Sequence, residues 1–223
     1  MSRIIKAERG EIYDIELAED FLKANENLAL KNRELLNKHG IKAIDIMGSV
    51  GTGKTSLIEQ IVQKLKGKYR ITVIAGDLTT TIDADRVARH GVEVIQINTG
   101  TECHLDANLV AKALKKIDLN KLDLLFIENV GNLICPAEFP LGSDKRVAVI
   151  SLTEGPYMVL KHPLTFMKAD VVVINKVDLA EAMGVDAEKL AKDVNRVNPK
   201  AKIAKTNCRD GAGILDVIKA LDL

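Results

Sequence analysis

Residues Gly48 to Thr55 read Gly-Ser-Val-Gly-Thr-Gly-Lys-Thr, a phosphate-binding loop of the form G-x-x-x-x-G-K-S/T. The run before it, Ile41-Lys-Ala-Ile-Asp-Ile-Met47, is apolar and of strand length. After it, Ser56 to Lys66 carries Leu57, Ile58, Ile61, Val62 and Leu65 at helical spacing. Strand, loop and helix therefore stand in the order that turns the N–H groups of a helix start toward phosphate. Gly48, Gly51 and Gly53 let the backbone wrap closely around phosphate oxygens, with Ser49, Val50, Thr52 and Ser56 completing the expected contacts. Lys54 is placed to reach the β- and γ-phosphates and the Thr55 hydroxyl to ligate Mg²⁺. A nucleoside triphosphate is the expected ligand.

The base is read much later, where the apolar strand Val171 to Ile174 runs into Asn175-Lys-Val-Asp178, an N-K-x-D sequence. Guanine presents N1–H and its exocyclic amine side by side as donors, and one carboxylate accepts both, so Asp178 points to GTP over ATP. Asn175 is expected to hold the loop and touch the purine edge, and the stem of Lys176 to cover the ring. After the next strand comes Thr206-Asn-Cys-Arg-Asp-Gly-Ala-Gly213, a candidate closing loop on the base side, with Asn207 and Cys208 as its contacts.

Two further strands end in acids. Ile71 to Asp77 precedes a polar stretch with Thr79, Thr80, Thr81 and Asp83, the best candidate for a segment ordered by the γ-phosphate. Leu122 to Glu128 precedes Asn129-Val130-Gly131, with Glu128 in the place of a Walker B acid and Gly131 able to approach phosphate. Lys54, Asp77, Asp83 and Glu128 are the candidate catalytic residues, with Thr55, Asp77 and Glu128 the candidate Mg²⁺ ligands. Asp77 and Asp83 rank equally as the group that orients water. Ligands of open parallel sheets lie beyond the strands' carboxyl ends, which is where these acids fall.

Cys103-His104 and Cys135 are not explained by a phosphate loop. Thiolate and imidazole suit zinc, nickel or copper, and a two-cysteine, one-histidine set leaves a coordination position open. Their spacing is not that of a zinc finger, however. On residue types alone, two buried cysteines and a surface histidine account for them better. Cys208 fits that packing role best.

The whole combination resembles the HypB family of GTPases for nickel insertion into nickel-iron hydrogenases. The segments that carry the resemblance are the phosphate loop, Gly76-Asp77, Gly100-Thr-Glu-Cys-His-Leu105, Glu128-Asn-Val-Gly-Asn-Leu-Ile-Cys-Pro136 and Asn175-Lys-Val-Asp178. It runs from about Ile41 to the C-terminus. The resemblance implies that Cys103, His104 and Cys135 bind Ni²⁺ or Zn²⁺, and that Mg²⁺-dependent GTP hydrolysis is coupled to formation of a homodimer. It also implies partners in hydrogenase maturation, such as HypA and the hydrogenase large subunit. Many members begin with a cysteine-rich nickel motif; residues 1–40 here hold no cysteine and only His39, so tight capture of nickel there is not expected. The urease accessory UreG family shares the nucleotide motifs but typically carries Cys-Pro-His in place of Cys103-His104. A UreG-like nickel GTPase and a nucleotide switch with a structural zinc are the alternatives.

Composition agrees with a cytoplasmic enzyme. The chain has 223 residues, 47% of them hydrophobic, enough for one sizeable α/β core. Its 32 basic residues are balanced by 31 acidic ones, and there is no Trp, which removes any argument for nucleic acid. No run approaches the ~20 apolar residues of a membrane span. Three cysteines in no framework pattern fit a reducing compartment.

The expected architecture is a P-loop NTPase fold: a doubly wound, mostly parallel sheet of about seven strands flanked by helices. Strands are expected near 41–47, 70–76, 92–97, 122–128, 146–152, 170–175 and 201–205. Helices are expected near 54–66, 83–90, 105–117, 155–162, 186–198 and 213–221. Residues 1–40 form an N-terminal extension, with an amphipathic helix over 14–38 stopped by Gly40 and packed on the sheet, and 41–223 form the GTPase domain.

Overall fold

A computed structural model describes residues 15–223; the first part of the expected extension, residues 1–14, lies outside them. Seven short segments pair as β1 (Lys42–Met47), β2 (Ile71–Asp77), β3 (Glu93–Asn98), β4 (Leu124–Glu128), β5 (Lys145–Ser151), β6 (Val171–Asn175) and β7 (Lys202–Thr206). They form one sheet in the order β3-β2-β4-β1-β5-β6-β7, with every pair parallel. Each strand lies within two residues of its expected limits.

Alternation along the strands divides the core in two. Ile44, Ile46, Phe126, Val147 and Val173 face the layer formed by α2 (Lys54–Leu65), α3 (Ile82–Ala88) and α10 (Ile214–Ala220). The opposite face splits into two clusters. Leu36 of α1 (Ile15–Lys38) and Val110 of α4 (Ala107–Leu114) meet Ala43, Ile74, Leu125 and Ile127. Met47, Ile150 and Val172 are covered by α5 (Cys135–Glu138), α6 (Met158–Lys161), α7 (Pro163–Met167) and α9 (Ala187–Val197), with α8 (Ala180–Met183) at the margin.

One expected helix is shorter than foreseen. The stretch near 155–162 yields α6, which starts only at Met158 and stops at Lys161, and a second short helix that was not expected, α7, starts at Pro163. Proline excludes the residue before it from the helical region, and His162 accordingly sits at φ −127°, ψ 52°. The helix expected over 105–117 begins at Ala107, because the Asp106 carboxylate caps it by accepting from Leu109 N at 2.7 Å.

Helix α1 ends as foreseen at Gly40, whose φ of 67° lets Ile41 N return to Leu36 O at 3.0 Å. It does more than rest on the sheet. Buried Asn25 donates to Pro140 O at 2.9 Å and accepts from Ala107 N at 2.8 Å. Buried Asn32 donates to Ala107 O at 2.8 Å and Leu141 O at 3.1 Å. Two asparagines thus pin the start of α4 and the loop before β5 to one helix.

Truncating Asn32 removes both of these buried bonds at once. Asn32→Ala is expected to lower stability by about 1–3 kcal/mol, seen as a fall in the urea midpoint with an unchanged slope.

Candidate nucleotide and metal site

The parallel sheet brings the ends of β1, β2, β4 and β6 to one edge, and a cavity of about 450 Å³ opens there between Gly53, Lys54, Asp83, Arg86, Glu128 and Lys176. The phosphate loop turns from β1 into α2 through Gly53, at φ 99°. That position admits no side chain, because a Cβ would stand 2.3 Å from Asn175 Nδ2. Lys54 is buried, and its ammonium donates to Gly48 O at 3.0 Å and Ser49 O at 3.2 Å. Burial lowers its pKa against the opposing pull of Glu128 and Asp83.

Thr55 is the meeting point of two acids. Its hydroxyl lies 2.8 Å from Asp83 Oδ1 and 2.7 Å from Glu128 Oε1. The other Glu128 oxygen, Oε2, is buried with no hydrogen-bond partner among the described residues. Burial pushes the Glu128 pKa up to about 7, against the pull of Lys54 and Thr55. An orphaned carboxylate oxygen beside a hydroxyl and a second carboxylate is a hard, all-oxygen donor set, the kind that suits Mg²⁺ and its waters. Asp77 is differently engaged. It lines the cavity, but its Oδ1 accepts from Thr79 N at 3.0 Å and Thr80 N at 2.7 Å, closing the turn after β2. Those amides and Lys54 outweigh partial burial and hold its pKa below the usual carboxylate range. Asp83, rather than Asp77, is therefore the partner of Thr55 and Glu128.

The sequence reading missed Arg86. Its guanidinium reaches Ser56 Oγ at 2.9 Å, Glu59, and Asp83 at 3.5 Å, which ties α3 to α2 beside the cavity. An arginine one helical turn after Asp83 was the available signal.

On the base side, both ends of the Asn175 amide are engaged by the protein. Nδ2 donates to Thr52 O at 2.8 Å, while Oδ1 accepts from Thr206 Oγ1 at 3.0 Å and Cys208 N at 3.1 Å. Three loops are fixed by one side chain that is only 2% exposed. Asn175 thus holds the loops together, and Nδ2 uses one of its two hydrogens in doing so. Lys176 takes a left-handed conformation at φ 61°, and Asp178 is exposed in the turn that follows. Asn207 closes its own loop through Asp210, and the Cys208 thiol is packed in the core with its pKa pushed by burial up to about 11. Cys208 thus joins this site through its backbone N–H and not its sulfur.

The residues between Glu128 and Cys135 run along the phosphate loop. Asn129 N donates to Ile46 O at 2.9 Å, Asn132 forms an isolated bridge with Gly48, and a Cβ at Gly131 would meet Val50 Cγ2 at 2.4 Å. Gly131 therefore admits the phosphate loop itself. Beyond this segment, Cys135 opens α5.

Because β2 lies between β3 and β4, the loops leaving those outer two strands meet over its end. Cys103 Sγ lies 3.2 Å from Cys135 Sγ and 4.0 Å from His104 Nδ1. One ligand atom from each of the three residues falls within 4.8 Å of the others. The His104 ring packs against Phe139 with centroids 3.9 Å apart, and burial lowers its pKa, which favours the neutral ligating form. Burial and the neighbouring Cys103 raise the Cys135 pKa. Two sulfurs and an imidazole nitrogen converging from two loops form a soft donor set. Among the described residues, this is the one such group of three or more potential ligands, and no helix is long and apolar enough to cross a membrane.

A profile described as the CobW/HypB/UreG nucleotide-binding domain matches residues 42–205. A probable hydrogenase maturation factor HypB from Methanocaldococcus jannaschii is 51% identical over 208 residues, covering 93% of this chain and 94% of that protein. The crystal structure of hydrogenase maturation factor HypB from Archaeoglobus fulgidus superposes with a TM-score of 0.84 at 46% identity, over 90% of this chain and 98% of that one. That of HypB from Helicobacter pylori in complex with nickel gives 0.83 at 35% identity, over 89% and 93%. A nucleotide-binding domain with this loop, this sheet and this degree of likeness belongs to the HypB branch of the CobW/HypB/UreG family.

Proposed function

We propose that this protein is a GTP-hydrolysing metallochaperone that hands nickel to a hydrogenase precursor, with the nucleotide controlling the Cys103, His104 and Cys135 cluster. One observation carries the reading. Glu128 of the phosphate cavity and Cys135 of the cluster are joined by a single seven-residue step, and the phosphate loop packs against it through Val50 and bridges it at Gly48. A change at the terminal phosphate then has a short mechanical path to one thiolate.

In the ground state, Lys54 and the loop amides from Gly48 to Ser56 neutralise the phosphate chain and align it for in-line attack. Lys54 leaves its two carbonyl partners for phosphate oxygens. Thr55, Asp83 and Glu128 would hold Mg²⁺, which would supply positive charge against the phosphate chain. Asp77, already anchored by two amides, and Asp83 are the groups positioned to orient water. Asp178 accepts the two guanine donors, while Lys176 lies over the base. Hydrolysis relieves the contacts that order the segment from Leu78 to Asp85 and the step from Glu128 to Cys135.

The cluster contributes three donors and leaves coordination open to a further ligand, as transfer requires. It is partly exposed and sits on a loop and the first residue of a short helix, outside the apolar clusters, a placement that suits exchange better than a structural zinc. In a two-fold homodimer the same three ligands are present twice, which gives either two sites or one shared site. The relatives support this cargo and recipient: the Helicobacter pylori HypB structure is in complex with nickel, and the relative from Methanocaldococcus jannaschii is described as a probable hydrogenase maturation factor.

Lys54→Ala is expected to abolish GTP hydrolysis in a phosphate-release assay; turnover near the wild-type rate would exclude the phosphate assignment. Asp178→Asn should relax selection for guanine, read as competition by xanthosine triphosphate, with unchanged discrimination arguing against that contact. Nickel and zinc titrations in the GTPγS and GDP states should give unequal affinities in wild type, with binding lost in Cys103→Ala. Equal affinities in both states would remove nucleotide control. Circular dichroism after chelation should show the fold intact, whereas unfolding on metal removal would favour a structural site.

A further inference from the structure

A carboxylate stands in the middle of the apolar strand β1. Asp45 is fully buried, and alternation puts it on the α1 face between Ala43 and Met47, which belong to separate apolar clusters. A charge in such a place is costly unless it is paired. Its two oxygens divide between two partners. Oδ2 lies 3.4 Å from Arg146 Nε, and Oδ1 accepts from Asn129 Nδ2 at 3.4 Å.

Each partner holds one of the ligand-bearing segments. Arg146 donates through Nη1 to Ala137 O at 3.1 Å and through Nη2 to Pro136 O, both carbonyls of the helix that opens with Cys135. Asn129 accepts through Oδ1 from Leu105 N at 2.9 Å, the residue after His104. Asn129 is also the residue after Glu128, whose carboxylate meets Thr55. The Cys103-His104 loop is thus tied directly to Asn129 at the end of β4, and the Cys135 helix reaches the same residue through Arg146 and Asp45.

We propose that Asp45, Arg146 and Asn129 are positioning residues that fix the two thiols and the imidazole in register with Glu128 and carry the nucleotide state to them. The inference rests on the reading of the Cys103, His104 and Cys135 cluster as a nucleotide-controlled metal site. A shift of the Glu128-Asn129 backbone moves Leu105 N directly. It also alters the carboxylate against which Arg146 holds α5. An ion pair that only stabilised the fold would lower the melting temperature equally in both nucleotide states and leave the relative metal affinity untouched.

The test uses the full chain, saturated with GDP or with GTPγS and titrated with Co²⁺, whose thiolate absorption reports ligation by sulfur. In parallel, metal-free protein is alkylated with iodoacetamide, and the rates at Cys103 and Cys135 are read by peptide mass spectrometry. The variants are Asp45→Asn and the double variant Asp45→Asn with Arg146→Gln, which leaves no lone buried charge. Arg146→Lys, which keeps the charge but loses the fork, carries the test if neither of these folds.

Wild type is expected to differ at least about fivefold in cobalt affinity between the two states, and the variants less than about twofold, with alkylation rates that no longer respond to nucleotide. A folded variant that keeps the wild-type ratio and the wild-type alkylation response overturns the positioning role. Absence of any nucleotide effect in wild type overturns the parent reading as well, so the two failures are distinct.

Discussion

All seven strands run the same way, so every one of them ends at the same edge, and whatever leaves those ends must share the space above it. This constraint makes a site out of segments scattered along the chain. The phosphate loop follows β1, the Asp77 turn β2, the Cys103-His104 loop β3, the Glu128 segment β4 and the Asn175 turn β6. Insertion of β4 between β1 and β2 sets Glu128 beside Thr55, and the position of β2 between β3 and β4 lets the two cysteine-bearing loops touch.

Electrostatics at this edge is sorted by depth. Lys54 and Glu128 are deeply buried, and burial disfavours the charge on each while each supports the charge of the other. Asp77, nearer solvent, is kept ionised by backbone donors. The cavity thus holds one acid whose charge wants a cation and another already satisfied by its own turn. That difference separates two carboxylates that look alike in the sequence.

Much of the architecture was legible because its signals are local. The phosphate loop, its flanking strand and helix, and the apolar runs of the other strands each announce themselves within about ten residues, since strand burial and helix periodicity are short-range patterns. Pro163 was equally local, and the helix expected before it does stop there, with His162 as its C-cap; the five-residue helix that starts at Pro163 is too short for its periodicity to show. What could not be read was adjacency. Cys103 and Cys135 are 32 residues apart, and only the strand order decides whether their loops meet. The preference for Asp83 over Asp77 at Thr55 depends on how the turn after β2 consumes its own acid, which composition does not reveal. Asp45 was hidden in a strand that otherwise reads as core, and its partner Arg146 is the second residue of another strand about a hundred residues away.

The Asn175 side chain has a consequence for ligand choice beyond holding loops. By bonding Thr52 O on one side and the Thr206 and Cys208 groups on the other, it sets a fixed span between the Gly48–Thr55 loop and the loop after β7. Gly53 lets it sit that close. On the proposed reading, the pair works as a caliper: a molecule engages both jaws only if its sugar spans the gap, so free phosphate or a loose purine gains just half the grip.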